Sequence, residues 1–242
     1  MTEAPLYEVF SSVQGEATRV GERHLFVRLA GCDLECSFCD TPASRRIPER
    51  ARLFHPDGLR EAQNPLGRDA LDAWVVELDR AAGPHHALSL TGGEPLLFVD
   101  YLRPLCARWR GRGLPVLLET GGHRPEELQA LIDDVDIVMA DIKLASSAGT
   151  AADPAATRAF LAIASRRECA VKIVVSARTT ADEVKAAALL VPAPLILVLQ
   201  PVSGARFEPP TGEHLLALQR AAMAVHRATR VIPQTHRQLH LR

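Results

Sequence analysis

Short apolar runs alternate with longer amphipathic segments along most of this chain of 242 residues. The apolar runs are nearly continuous, as in strands that are buried on both faces of a parallel sheet. The longer segments repeat apolar residues at helical spacing. The pattern predicts six main strands and one short final strand, at Val27, Ser89, Leu117, Val138, Ile173, Leu197 and residues 230–233.

Helices are predicted between these strands. Six main strands are too few to close a (β/α)8 barrel. We therefore expect an α/β protein with a single domain over residues 1–242, folded as a partial, open (β/α)6-type barrel. Residues 43–66 contain several Pro, Gly and Arg residues with little periodicity, so we expect an irregular insertion there. The predicted helices cover residues 68–82, 99–112, 125–132, 153–166, 180–191 and 211–227.

Composition narrows the class of protein. With 28 basic and 29 acidic residues, the net charge of −1 gives no support for a nucleic-acid or membrane partner. The longest apolar run, residues 186–199, is interrupted by two prolines and is too short to span a bilayer. The first residues lack the basic and apolar regions of a signal peptide, and five cysteines is an odd number, so we expect a reducing, cytoplasmic location.

Polar motifs follow five of the predicted strands. In parallel α/β folds, ligand-binding groups come from the loops at the carboxyl ends of the strands, which meet at one rim. We therefore expect these motifs to share one site. They are the loop that begins at Cys32 and residues 91–94, 119–122, 141–143 and 200–203.

The strongest of these motifs is the C-x3-C-x2-C spacing of Cys32, Cys36 and Cys39. Three thiolates leave one iron of a [4Fe–4S] cube open to another ligand. A structural zinc site needs four ligands, and Asp40, adjacent to Cys39, is poorly placed to be the fourth. Reduced cysteines without a metal are a further alternative. The ligand count favours a cluster that binds a small molecule.

The cysteine loop follows the first main strand, and Thr91-Gly-Gly-Glu-Pro95 follows the next; together they resemble the radical S-adenosylmethionine (AdoMet) enzymes. In that family the cluster splits AdoMet into methionine and a 5′-deoxyadenosyl radical, which abstracts a hydrogen atom from the substrate. The resemblance implies a partial or full barrel, a [4Fe–4S] cluster, AdoMet, and an electron donor of flavodoxin or ferredoxin type.

Flanking segments narrow the resemblance. Residues 10–16, 26–32, 39–41 and 230–236 resemble the 7-carboxy-7-deazaguanine synthase family, and matching segments extend over residues 7–236 apart from 43–66. The resemblance implies a lyase that converts 6-carboxy-5,6,7,8-tetrahydropterin to 7-carboxy-7-deazaguanine with loss of ammonia, for queuosine-type 7-deazapurine biosynthesis. It also implies Mg²⁺ and a homodimer.

The same resemblance implies a set of site residues. The three cysteines would hold the cluster, and Thr41 would bind Mg²⁺. Substrate would contact Val13, Gln14, Gly15, Glu16, Arg28, Thr91 and His236. AdoMet would contact Phe38, Cys39, Asp40, Gly93, Glu94, Asp141, Ile142, Lys143, Gln200, Pro201, Val202 and Ser203.

Residue chemistry agrees with some of these roles, and each has a simpler alternative. The planar guanidinium of Arg28 suits a carboxylate, but it could also form a structural ion pair. Gln14 and Glu16 suit the hydrogen-bonding edge of a pterin, or they could form a polar turn. Asp141 and Lys143 could be a solvated pair. The family usually has glycine at the position of Ala17.

Two other functions remain open from the sequence. One is an activase that installs a glycyl radical on a partner protein, although that class lacks the Gln-Gly-Glu and Cys-Asp-Thr flanks found here. The other is a non-catalytic zinc- or cluster-binding module.

Overall fold

The computed structural model describes residues 1–203 and 207–242. Within these residues the strands are β1 (Glu3–Ala4), β2 (Leu6–Val13), β3 (Arg23–Leu29), β4 (Arg50–His55), β5 (Gly58–Gln63), β6 (Leu66–Gly67), β7 (Ala87–Gly92), β8 (Val116–Thr120), β9 (Ile137–Asp141), β10 (Glu168–Val175), β11 (Ile196–Pro201) and β12 (Thr229–Val231). The α-helices are α1 (Arg68–Ala82), α2 (Val99–Gly111), α3 (Pro125–Leu131), α4 (Ala145–Ala148), α5 (Pro154–Ala164), α6 (Ala181–Ala188), α7 (Gly212–Met223) and α8 (Thr235–Gln238).

Ten of these strands form one sheet in the order β12-β11-β10-β9-β8-β7-β3-β2-β4-β5. From β3 to β12 every neighbouring pair is parallel. The six predicted main strands are therefore confirmed, and β12 adds the short seventh. Because β12 and β5 lie at opposite ends of this order, the barrel is open, as the sequence predicts.

The expectation of an irregular insertion at residues 43–66 is wrong. The segment contains an antiparallel hairpin of β4 and β5, and β4 pairs with β2. On β4, Ala51 and Leu53 are fully buried, whereas β5 is almost entirely exposed. An exposed edge strand needs no apolar residues, so the sequence pattern gives no sign of it.

Strand β2 was also not predicted, and it joins the hairpin to the rest of the sheet. It is antiparallel to β3 and parallel to β4. Its apolar pattern is interrupted by Glu8, a carboxylate that is only 4% exposed. Buried charges are rare, so a glutamate within a short run argues against a buried strand in a sequence reading.

The inner face of the sheet is apolar at one level of the strands and polar two residues further along. A small apolar layer of Ala17, Leu117, Ile137, Met139, Ala170 and Val198 fills its lower part. Because side chains alternate between the two faces, residues two positions further along point to the same side. Those positions are polar on four neighbouring strands: Glu119, Asp141, Lys172 and Gln200. The sheet therefore has an apolar floor below a polar rim.

The outer face of the sheet is covered by helices, and the larger core lies between them. Trp109 of α2 is fully buried there, and its indole nitrogen donates to Asp72 Oδ1 of α1 at 3.0 Å. In the described part of the chain, no helix has the length and apolar character needed to cross a membrane.

Candidate active site

A pocket opens at the polar rim of the barrel, and all five polar motifs contribute to its lining. The predicted site residues that line it are Val13, Gln14, Gly15, Glu16, Arg28, Cys32, Cys36, Phe38, Cys39, Asp40, Thr91, Gly93, Glu94, Asp141, Lys143, Gln200, Val202, Ser203 and His236. Thr41, Ile142 and Pro201 do not line it. The side chain of Ile142 is buried in the larger core.

The glycines after β7 hold the cysteine loop in place. A Cβ atom on Gly93 would overlap with the carbonyl oxygen of Gly31, immediately before Cys32. The backbone NH of Glu94 donates to this same oxygen at 2.9 Å. The two loops pack backbone against backbone, and only glycine allows so close an approach.

Glu94 ties the ends of two strands together. Its carboxylate accepts hydrogen bonds from Thr120 Oγ1 at 2.8 Å, from the NH of Gly121 at 2.8 Å and from the NH of Leu96 at 3.1 Å. Burial raises the pKa of this carboxyl. The hydrogen bonds of Glu94 therefore connect the loop after β7 to the end of β8.

The three cysteines line the pocket and are each partly buried. The other two, Cys106 and Cys169, are buried away from it. Burial raises the pKa of the Cys32 and Cys36 thiols, so a metal would be needed to hold them as thiolates near neutral pH. Three sulfur ligands beside an open pocket fit a [4Fe–4S] cluster with one free iron position.

Lys143 and Asp141 form a sheltered pair beside this loop. Lys143 Nζ lies 2.6 Å from Asp141 Oδ2 and 5.0 Å from the ring centroid of Phe38, between the second and third cysteines. Their side chains are only 14% and 15% exposed. The alternative interpretation from the sequence, that the two residues form a solvated surface pair, is therefore wrong. Gln200 lines the same pocket, and its Oε1 is buried and accepts no hydrogen bond from the described residues.

Gln14 shapes the loop that follows β2. Its Nε2 donates to Glu119 Oε1 at 2.8 Å, and its Oε1 accepts from the NH of Glu16 at 3.1 Å. Burial, together with the negative charge of Glu16, raises the pKa of Glu119. The sequence analysis includes Glu119 in the polar motif at residues 119–122 without assigning it a role, and the residue lines the pocket.

Glu16 is held from three sides. Its Oε2 bonds Lys172 Nζ, and its Oε1 accepts from Gln234 Nε2 at 2.6 Å and from Gln200 Nε2 at 3.2 Å. Burial opposes ionisation, but the charge of Lys172 and the hydrogen bonds from Lys172 and Gln234 together lower the pKa of Glu16. Lys172 and Gln234 were missed in the sequence. A lysine within the apolar strand β10 was the available clue.

Arg28 projects from β3 into the pocket. Its Nε donates to Glu8 Oε1 at 3.0 Å, and its guanidinium lies 5.6 Å from the ring centroid of Phe10. Its two terminal nitrogens donate no hydrogen bond to the described residues. The structural ion pair therefore exists, and it leaves one edge of the guanidinium for a ligand.

Comparisons with known proteins bear on this arrangement. The model of the radical SAM (AdoMet) superfamily matches residues 27–185. The 7-carboxy-7-deazaguanine synthase of Geobacter sulfurreducens is 39% identical over 97% of this chain and 96% of its own length. That of Archaeoglobus fulgidus is 31% identical over 99% of each chain. The chain belongs to the 7-carboxy-7-deazaguanine synthase family of the radical SAM superfamily.

A solved structure supports the fold assignment. QueE from Escherichia coli superposes with a TM-score of 0.61 at 19% identity, over 97% of this chain and 95% of that one. Both the fold class and the family resemblance that the sequence predicts are confirmed.

Beside the cysteine loop, three side chains from different segments form a group of potential metal ligands. Glu16, Asp40 and His236 each offer one ligand atom, and the three atoms lie within 4.8 Å of one another. Burial opposes ionisation of Asp40, but the charges of Arg28 and Lys172 lower its pKa. Thr41 Oγ1 donates to Asp40 Oδ1 at 3.0 Å. Carboxylate and hydroxyl oxygens are ligands that suit Mg²⁺.

Ala17, where the family usually has glycine, lies at φ +51°. This left-handed conformation is costly for an L-residue with a Cβ atom. The methyl group is 2% exposed and belongs to the apolar layer with Leu117 and Met139. The loop therefore keeps a glycine-like backbone in spite of the substitution.

Proposed function

We propose that this chain is a radical AdoMet lyase that converts 6-carboxy-5,6,7,8-tetrahydropterin to 7-carboxy-7-deazaguanine with loss of ammonia. The observation that carries the proposal is the meeting of Glu16, Arg28 and the three-cysteine loop in one pocket. These are the elements in which the chain resembles the synthase family, and the two relatives above are similar over nearly their whole length.

When bound, the [4Fe–4S] cluster and AdoMet would supply the radical that removes a hydrogen atom from the substrate. Cys32, Cys36 and Cys39 hold the cluster. The AdoMet side of the pocket comprises Gly93, Asp141 with Lys143, and Gln200–Ser203. The buried, unpartnered oxygen of Gln200 supports a ligand at this end, since such an atom is costly to leave unpaired.

The substrate binds at the other end of the pocket. Arg28 donates to its carboxylate through the guanidinium edge that Glu8 leaves free. Glu16 and Glu119 accept hydrogen bonds from the amino-pyrimidine edge, and Gln14 orients Glu119. Thr91 and His236 complete this end, and Phe10, stacked on Phe26 at 4.9 Å between centroids, walls it off from water.

Further parts of the proposal rest on the family resemblance. Mg²⁺ would bind at Thr41 and the neighbouring Asp40, together with substrate oxygens. A flavodoxin- or ferredoxin-type protein would supply the electron. The enzyme would act as a single-domain homodimer in the cytoplasm and feed queuosine-type biosynthesis.

The decisive experiment is anaerobic reconstitution followed by turnover. The protein is loaded with iron and sulfide and incubated with 6-carboxytetrahydropterin, AdoMet, Mg²⁺ and a chemical reductant. We expect carboxydeazaguanine and ammonia in equal amounts. Accumulation of 5′-deoxyadenosine without carboxydeazaguanine would refute the substrate, and a protein that takes up zinc instead of iron would refute the radical chemistry.

A further inference from the structure

A single lysine crosses the inside of the barrel. Lys172 lies on the inner face of β10, and its side chain is only 16% exposed. Its Nζ bonds Glu16 Oε2 and lies 3.4 Å from Asp141 Oδ1. An ammonium group on an otherwise apolar strand is costly to bury unless it is paired. Here it has two carboxylate partners.

The two partners belong to distant parts of the sheet. Glu16 follows β2, and four strands separate β2 from β10 in the sheet order. The contact between Glu16 and Lys172 therefore spans the barrel interior instead of following a strand ladder. Asp141 ends β9, the neighbour of β10.

The two partners also serve different ends of the pocket. Asp141 bonds Lys143, which lies against Phe38 in the cysteine loop. Glu16 lies on the loop that carries the pterin-binding motif, with its second oxygen fixed by Gln200 and Gln234. One ammonium group is thus the ionic link between the AdoMet end and the substrate end, beside the single hydrogen bond from Gln200 to Glu16.

Without this ammonium, three partly buried carboxylates would face one pocket, and among them Asp141 alone would keep a lysine partner, Lys143. Glu16, Asp141 and Glu119 all count Lys172 among their neighbouring charges. Like charges repel strongly at this depth, so the loop that carries Glu16 would move away from β9.

We propose that Lys172 is a positioning residue, which fixes the substrate loop at Glu16 relative to the AdoMet-binding end of β9 at Asp141. The inference rests on the proposed function. Hydrogen-atom transfer needs the donor carbon and the radical carbon close together, and a misplacement of about 1 Å can cost about 10²-fold in rate. Lys172 holds the two ligands at that separation.

The proposal predicts uncoupling. The family resemblance implies that AdoMet is regenerated in coupled turnover, so we expect little 5′-deoxyadenosine to be released per product. If the substrate lies too far away, each failed event consumes one AdoMet, one electron from the reductant and one hydrogen atom from a donor other than the substrate. We expect Lys172→Met to lower product formation and to raise the ratio of 5′-deoxyadenosine to product, each by at least about tenfold.

A second readout needs no turnover. The affinity for 6-carboxytetrahydropterin is measured by anaerobic equilibrium dialysis on cluster-loaded protein, with and without AdoMet. In the wild type we expect AdoMet to tighten pterin binding, since both ligands order the same ion pairs. In Lys172→Met we expect AdoMet to leave the affinity for the pterin unchanged, a ratio of about one, with the same iron and sulfide content as the wild type.

A matched control lies on the same two segments. Arg19 donates to Glu168 at the other end of β10, and neither residue lines the pocket. Glu168→Gln removes that cross-barrel ion pair, and we expect it to leave both the product ratio and the coupling at wild-type values. A Glu168→Gln variant that uncouples like Lys172→Met would show that any ion pair here acts through fold stability, against the proposal.

Lys172→Arg covers the case in which Lys172→Met fails to load its cluster. Arginine keeps the charge but changes the length and shape of the link, so we expect full cluster content with a product ratio raised several-fold. If Lys172→Arg matches the wild type, charge compensation alone is enough and the positioning role is wrong. If the wild type forms product while every variant stays coupled, only this inference fails; if the wild type forms none, the proposed function fails as well.

Discussion

His236 lies directly against Gly15, so that a Cβ atom on Gly15 would come within 2.6 Å of the backbone nitrogen of His236. The NH of Thr235 also donates to the carbonyl oxygen of Gly15 at 2.9 Å. The C-terminal segment and the loop after β2 are therefore docked backbone to backbone, although about 220 positions separate them. This contact brings Gln234 within reach of Glu16.

Replacing Gly15 by alanine should break this docking. Because the clash involves backbone, the tail must shift instead of a single side chain rotating. We expect Gly15→Ala to raise the KM for the pterin by about tenfold or more, with cluster content unchanged. Gly212→Ala is the control, since nothing lies within 4 Å of the added methyl group. Steady-state kinetics of the two variants tests this, and an unchanged KM for Gly15→Ala would contradict it.

The contact between Gly93 and Gly31 predicts a different failure. Gly93→Ala should push the loop after β7 away from the cysteine loop and reduce the iron and sulfide bound per chain to less than about half. Gly111→Ala has open space around the added methyl group and should load normally. Iron and sulfide analysis after identical reconstitution separates the two. Full loading of Gly93→Ala would mean that the cysteine loop tolerates the displacement.

The parallel part of the sheet was predictable because its strands and helices obey simple periodicities. Helix α1 begins and ends at the predicted residues, Arg68 and Ala82. Strands β2 and β5 were not predictable by the same rule, because one buries Glu8 and the other buries almost nothing. Their positions depend on pairing partners that are far away in the sequence.

The site was predictable where a motif carried it, and not where distant residues meet. The cysteines and the residues after β7, β9 and β11 could be assigned to one rim from the strand rhythm alone. Lys172 and Gln234 could not, because their roles come from a carboxylate, Glu16, on the opposite side of the barrel. Thr41 was assigned from its motif alone; its hydroxyl donates to Asp40, and its role in binding Mg²⁺ stays a prediction.

Arg28 should matter for substrate binding and not for the cluster. Arg28→Ala removes a charged partner of the substrate carboxylate, and such a hydrogen bond is worth about 1.5–3 kcal/mol, or about 10- to 150-fold in KM. Arg52 is a matched control: it lies 3.9 Å from the same Glu8 but does not line the pocket. Arg52→Ala should leave KM within about twofold. Equal effects of the two substitutions would point to Glu8 and general stability as the cause.

Buried His24 should make stability depend on pH. Its Nδ1 bonds Ser89 Oγ at 2.8 Å, its Nε2 bonds Glu22 at 3.1 Å, and burial lowers its pKa. In the unfolded chain, His24 takes up a proton near pH 6.5, whereas in the folded chain it stays neutral to a lower pH. The free energy of unfolding therefore falls as the pH drops below 6.5. We expect the wild type to lose more of its free energy of unfolding than His24→Gln between pH 7 and pH 5.5 in anaerobic urea unfolding. Parallel pH curves would contradict this.

Replacing Ala17 by glycine should change the stability of the protein very little, whereas larger residues at this position should destabilise it strongly. Glycine would relieve about 1–2 kcal/mol of left-handed strain. It would also lose a buried methyl group, worth about 0.8 kcal/mol, and gain about 0.4–1 kcal/mol of unfolded-chain entropy. These effects nearly cancel, so the free energy of unfolding of Ala17→Gly should stay within about 1 kcal/mol of the wild type.

Ala17→Val provides the opposite test at the same position. A β-branched side chain at positive φ is strained, and two further methyl groups would press on the packed layer that contains Leu117 and Met139. We expect a loss of more than about 2 kcal/mol, measured by urea unfolding, and a raised KM because Glu16 moves with its neighbour. A stable Ala17→Val with unchanged KM would show that the loop can leave the left-handed conformation without disturbing Glu16, and the substitution of the family glycine would then have no structural consequence.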